Sequence, residues 1–85
     1  MTGYSVKWEP RALKSLKKLP KDIALRICDK IDQVMENPFR YLRHFEGKEG
    51  FKLRIGDYRA IIDVDSQNKI LIVRLLDKRA RIYKR

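Results

Sequence analysis

FKLRIGDYRAIIDV, from Phe51 to Val64, decides the fold. Apolar and polar residues alternate on both sides of Gly56-Asp57, which predicts two strands joined by a tight turn. Phe51, Leu53 and Ile55 share a face with Tyr58, Ala60, Ile62 and Val64, because successive strand side chains point to opposite sides of a sheet. Lys52, Arg54 and Arg59 fall on the other side. Like charges on neighbouring strands repel. A cluster of three cations therefore needs either open solvent or an anion to face.

Downstream, Asp65-Ser66-Gln67-Asn68-Lys69 is a polar hairpin loop. Ile70 to Leu76, ILIVRLL, is a strand that is apolar on nearly both faces, which predicts an interior place in the sheet; Arg74 interrupts one face. Of the eight residues from Lys78 to Arg85, five are basic and none is acidic. Upstream, Tyr4 to Trp8 alternates like a strand. Pro10 opens a first helix, with Ala12, Leu13, Leu16 and Leu19 at helical spacing. Pro20 separates it from a second helix, whose stripe is Ile23, Ile27, Ile31, Val34 and Met35; Asn37-Pro38 stops it. Leu42 to Phe45 reads as a short strand or an irregular loop, and residues 46–50 as a turn.

The expected fold class is α+β. An N-terminal strand and an αα-hairpin precede a three- to four-stranded, mostly antiparallel sheet, in the order β-α-α-β-β-β. The greasy face of the sheet covers the apolar stripes of the helices. Eighty-five residues fit one domain, 1–85. A formal net charge of +10, from 21 Lys and Arg against 11 Asp and Glu, favours a polyanionic partner. No apolar run reaches membrane-spanning length, and the N-terminus lacks a signal-peptide core. Together with the single cysteine, Cys28, this gives a cytoplasmic expectation with no membrane partner.

The pattern leaves few kinds of chemistry. There is one histidine, His44, no Cys/His metal spacing and no phosphate-cradling glycine loop, so neither a metal nor a cofactor is expected. What remains is Lys52, Arg54 and Arg59, the segment Lys78-Arg79-Ala80-Arg81, and the phenol of Tyr83. Pairing across Gly56-Asp57 puts Arg54 opposite Arg59 or one step from it. If the last strand lies beside the Tyr58 strand, Arg79, Arg81 or Tyr83 reaches the same face. Such a constellation suits an RNA phosphodiester, since attack by the neighbouring 2′-hydroxyl passes through a phosphorane with extra negative charge. The plain alternative is a solvated charged face that only keeps the protein soluble. For Lys14, Lys17 and Lys18 on the first helix, that plain reading prevails.

The element order, the phrase Phe51-Lys52-Leu53-Arg54-Ile55-Gly56-Asp57-Tyr58-Arg59-Ala60-Ile61 and the ending Lys78-Arg79-Ala80-Arg81-Ile82-Tyr83 resemble the RelE/ParE toxin superfamily. The resemblance covers essentially the whole chain. It implies the toxin of a type II toxin–antitoxin pair. RelE members enter the ribosomal A site and cut messenger RNA without a metal. ParE members share the fold and act on DNA gyrase without nuclease activity. An inactive, RNA-binding regulatory relative is a further alternative. The resemblance also implies a RelB-like antitoxin, acidic and partly disordered.

Residue by residue, Lys52 and Arg54 match the paired basic positions of the RelE catalytic strand. Arg59 matches the arginine after the turn tyrosine, and Arg79 and Tyr83 match the arginine and tyrosine of the terminal motif. By that carry-over Arg59 and Arg79 hold the scissile phosphate, while Lys52 and Tyr83 are the proton-transfer groups within reach. A guanidinium such as Arg54 is a poor base because it keeps its proton. Lys48, Lys78, Arg81, Lys84 and Arg85 are expected as RNA-binding cations. Arg54 stands where RelE members often carry lysine, and Glu46 stands where a basic residue can occur. The general base is therefore open among Lys52, Tyr83, His44 and Glu46.

Overall fold

The computed structural model describes residues 3–44 and 50–78. Among these the order is β1 (Ser5–Trp8), α1 (Pro10–Lys17), α2 (Lys21–Glu36), α3 (Pro38–Tyr41), β2 (Arg43–His44), β3 (Phe51–Ile55), β4 (Tyr58–Asp65) and β5 (Ile70–Lys78). The expected α+β architecture is present. To the expected elements it adds the single turn α3, and the short strand over Leu42 to Phe45 is reduced to two residues. Phe45 and the turn at 46–49 lie outside the described residues.

Proline sets the helix boundaries. Pro10 occupies the first turn of α1, where its missing N–H is not needed. The end of α1 tightens: Lys18 N–H donates to Ser15 O at 3.2 Å and Leu19 N–H to Leu16 O at 3.2 Å. Pro20 then sits in extended geometry and its carbonyl accepts the first bond of α2, from Ala24 N–H at 2.9 Å. Asn37 is extended, φ −154°, as expected before Pro38, and α2 stops there.

All five strands form one sheet, ordered β1-β5-β4-β3-β2. The β1–β5 pair is parallel and the other three pairs are antiparallel. Ile27, Ile31 and Val34, spaced four and three apart on α2, and Ala12 of α1 bury against Leu53, Ile55, Ala60, Ile62, Leu71, Val73 and Leu76. Val6 and Trp8 of β1 flank this core. Tyr4 N–H donates to Met35 O at 2.8 Å, and Glu9 N–H to Val73 O at 3.0 Å, which ties both helices to the sheet.

A β-bulge explains the doubly apolar look of Ile70 to Leu76. Ile61 pairs with Leu75, but Ile62 pairs with Val73, so Arg74 is the unopposed residue. The extra residue shifts the side-chain parity of β5. Leu71 and Val73 before it, and Leu76 after it, therefore all enter the same core. Arg74 is turned out and bridges two acids, Glu9 Oε1 at 3.3 Å and Asp63 Oδ2.

Candidate functional site

The helices cover one side of the sheet, and the site is built on the other. The β3–β4 connection is a two-residue hairpin. Ile55 pairs with Tyr58, and Gly56 at the first central position has φ +57°. Only that central residue has positive φ, the pattern of a type II′ turn, which matches the natural twist of the flanking strands. Register follows from the turn: Arg54 stands directly opposite Arg59, and Lys52 opposite Ile61. β2 extends the row, placing Arg43 opposite Lys52. On the far side of Arg59, β5 places Asp77. Across the sheet the rows thus run Arg43–Lys52–Ile61–Leu75 and Arg54–Arg59–Asp77.

The three clustered cations differ sharply in surroundings. Arg59 is only 8% exposed, the one buried charged residue among those described. β4 is the middle strand of five, so neighbours shield it on both sides. Its Nη1 donates to Gly56 O at 3.0 Å and to Tyr58 O at 2.9 Å. A buried guanidinium must have such partners, because an unpaired buried charge is very costly. Arg59 therefore braces the hairpin turn that sets the register, while Asp77 puts a carboxylate one strand away.

Lys52 is half-buried in the paired part of β3. Arg54 is exposed. β2 is so short that, beyond Lys52, this edge of β3 has no strand partner among the described residues. Around that free edge Arg54 also lines a groove of about 620 Å³ between α2 and the turn, with Asp22, Arg26, Asp29 and Lys30 opposite.

Lys78 takes a different place from the other expected cations. It pairs with Tyr58, whose parity is that of the helix side, and it lines a small cleft with Ser15, Lys18 and Leu19. Lys48, Arg79, Arg81, Tyr83, Lys84 and Arg85 lie outside the described residues. β5 does lie beside β4, as the sequence reading required for the terminal segment to reach the cluster. His44 is an exposed strand residue whose ring rests 4.6 Å from that of Phe51. Sequence reasoning missed Arg43 and Asp77. Both join the site only through cross-strand register, and the sole sequence signal was their alternation with Leu42 and Leu76.

Chemically, this face can bind and polarise an anion. Arg54 offers an exposed planar fork of donors, and Lys52 and Arg43 add charge one row away. No group of three or more His, Cys, Asp or Glu residues gathers as a metal site among the described residues. No helix among them is long and apolar enough to cross a membrane.

Comparison with known proteins gives the same frame. A sequence family described as the ParE toxin of the type II toxin–antitoxin system, parDE, matches residues 6–83. No curated protein matches the chain. Among solved structures, the archaeal RelE–RelB complex from Pyrococcus horikoshii is similar at 30% identity and TM-score 0.77, covering 95% of this chain and 99% of that one. The intact RelBE toxin–antitoxin complex of E. coli is similar at 26% identity and TM-score 0.73, over 88% and 95% of the two chains. A RelBE complex from Mycobacterium tuberculosis shares the fold at TM-score 0.81 and 23% identity, over 91% of this chain and 99% of that one. With a family match spanning nearly its whole length and a fold similar to that of these toxin complexes, the chain belongs to the RelE/ParE toxin superfamily of type II toxin–antitoxin systems.

Proposed function

We propose that this toxin is a RelE-like, metal-independent endoribonuclease that cuts messenger RNA in the ribosomal A site and so stops translation. One observation carries the reading: Arg54 is exposed at the free edge of β3, directly opposite Arg59 and two residues from Lys52. In the reaction the 2′-oxygen attacks the adjacent phosphorus as its proton is removed. The 5′-oxygen then leaves with a proton delivered to it. A 2′,3′-cyclic phosphate and a 5′-hydroxyl result. Arg54 faces the extra negative charge of the phosphorane, where a fixed cation stabilises the transition state more than the ground state. Lys52, two residues from Arg54 on the same face, is the proton-carrying amine of the cluster. Arg59 is a positioning residue, which holds the hairpin that presents Arg54. Arg79 and Tyr83 supply the second phosphate contact and a proton in the same scheme, by resemblance to the family's terminal motif. The ribosome aligns the 2′-hydroxyl, which an open sheet face does not do for free RNA.

The partner implied is a cognate, RelB-like antitoxin. An acidic, partly disordered chain suits a surface of net charge +10. The solved toxins similar to this one include those held in RelB–RelE complexes, which supports that assignment.

The second reading is a ParE-type toxin that inhibits DNA gyrase without nuclease activity, and the matching sequence family favours it. Purified toxin incubated with translating ribosomes and a defined messenger, followed by primer extension, separates the two. A-site cuts with gyrase unaffected support the ribonuclease. Intact messenger with accumulated DNA–gyrase cleavage complexes supports the gyrase inhibitor.

A further inference from the structure

At the β2 edge of the sheet three rings gather. α3 is one turn long, closed by Leu42 N–H donating to Pro38 O at 2.9 Å, and it sets Phe39 beside β3. The Phe39 and Phe51 rings meet edge-on, with centroids 5.9 Å apart and planes at 68°. His44, the cross-strand partner of Phe51, lies over it at 4.6 Å with planes at 31°. Phe51 is half-buried and belongs to the core rim, but Phe39 is 58% exposed and His44 is exposed. A chain with three phenylalanines that needs a core gains little by leaving one largely in water.

Cations flank these rings. Arg40 follows Phe39 and Arg43 precedes His44, and both are exposed. Arg43 pairs with Lys52 on the cationic face, whereas His44 pairs with Phe51 on the helix side, so the two sets adjoin around the edge of the two-residue strand β2. Exposed aromatic faces interleaved with cations fit a stacked base between backbone phosphates. We propose that the exposed Phe39 ring is a stacking platform for one unpaired nucleobase of single-stranded RNA, with His44, which rests on the neighbouring Phe51, lining its approach and Arg40 and Arg43 on the adjoining phosphates. The strand would pass from this platform around the short β2 edge to Lys52 and Arg54. The proposal rests on the ribonuclease reading, and it adds a base-contacting subsite to a site otherwise built for phosphate. Stacking accepts any base, so the platform contributes affinity and register rather than sequence choice.

The test uses the full-length toxin and a single-stranded 2′-O-methyl oligoribonucleotide of about ten nucleotides, which cannot be cut, carrying 2-aminopurine at one position in turn. At one position the wild type quenches the fluorescence as the base stacks. Phe39→Ala should weaken binding about fivefold or more and restore the fluorescence there. Phe39→Trp should recover both. Arg54→Ala should weaken binding without restoring the fluorescence of the bound probe. The platform is overturned if no position is quenched, or if Phe39→Ala and His44→Ala both leave affinity and quenching unchanged. Should the wild type still cut messenger on ribosomes in that case, only the platform falls. Should it leave messenger intact, the ribonuclease reading falls as well.

Discussion

At the scale of single residues, two arginines facing each other across a hairpin have different surroundings. Arg59 is buried and donates to the carbonyls of Gly56 and Tyr58. Arg54 is exposed. Arg59→Ala should therefore cost about 1–3 kcal/mol of stability, because it strips partners from part-buried carbonyls. Arg54→Ala should change stability by no more than about 0.5 kcal/mol. Urea denaturation of both variants checks this, and equal losses would contradict the division of labour. Gly50 is a second point of strict local demand. Its φ is +87°, and an added Cβ would lie 2.8 Å from Asp63 Oδ1 and 3.3 Å from Ile62 O. Gly50→Ala combines left-handed strain with a clash and should lower stability by more than about 1 kcal/mol. Gly56→Ala meets only the Arg26 side chain at 3.7 Å and should be milder. Cys28 is held back chemically. Burial first, then the carboxylates of Asp32 and Asp29, raise its pKa and keep it a thiol. Alkylation by iodoacetamide near pH 8 should be slower than for a free thiol, whose pKa is about 8.5.

Among the elements, what the sequence revealed was whatever depended on local period. The β3–β4 hairpin and its turn could be read from alternation around Gly56-Asp57, and both helices from their apolar stripes between prolines. The contribution of β5 to the core was legible only as an ambiguity. ILIVRLL looks apolar on both faces because the bulge at Arg74 shifts its parity midway. No local pattern announces a bulge whose unopposed residue, Arg74, meets its partners Glu9 and Asp63 only in the folded sheet. The site was half legible for the same reason. Lys52, Arg54 and Arg59 follow from one hairpin, whereas Arg43 and Asp77 arrive through pairing with other strands. Burial of Arg59 needed knowledge that β4 is the middle strand. The β4–β5 loop offers a pH test at this scale. Asp65 accepts from the Asn68 side-chain amide at 2.9 Å and from its backbone N–H at 3.1 Å. These bonds favour the charged carboxylate and lower its pKa. The sign is that of a depressed acid. Its support of the loop is present above the unfolded value, near pH 3.9, and is lost as pH falls through the folded value. Protection of amides in the 65–69 loop, taken relative to the intrinsic exchange rate at each pH, should fall on acidification below about pH 4, and that change should be absent in Asp65→Asn.

For the molecule as a whole, charge and size set the terms. A chain of 85 residues carrying net charge +10 has limited core to offset self-repulsion. The same field draws in a polyanion, so toxin–RNA affinity should fall steeply with added salt. An acidic antitoxin should lose affinity with salt as well. The helices and the buried side of the sheet form the scaffold, and the open side carries the cations of the proposed site. That division carries the central claim, that a hairpin-mounted arginine stabilises charge on a messenger phosphate. Its most direct test is the single-turnover rate of A-site cleavage on programmed ribosomes, wild type against Arg54→Ala, with folding of the variant verified by circular dichroism. The expected loss is about a hundredfold or more, the scale of removing one transition-state donor. An Arg54→Ala protein that is folded and cuts at the wild-type rate would contradict it.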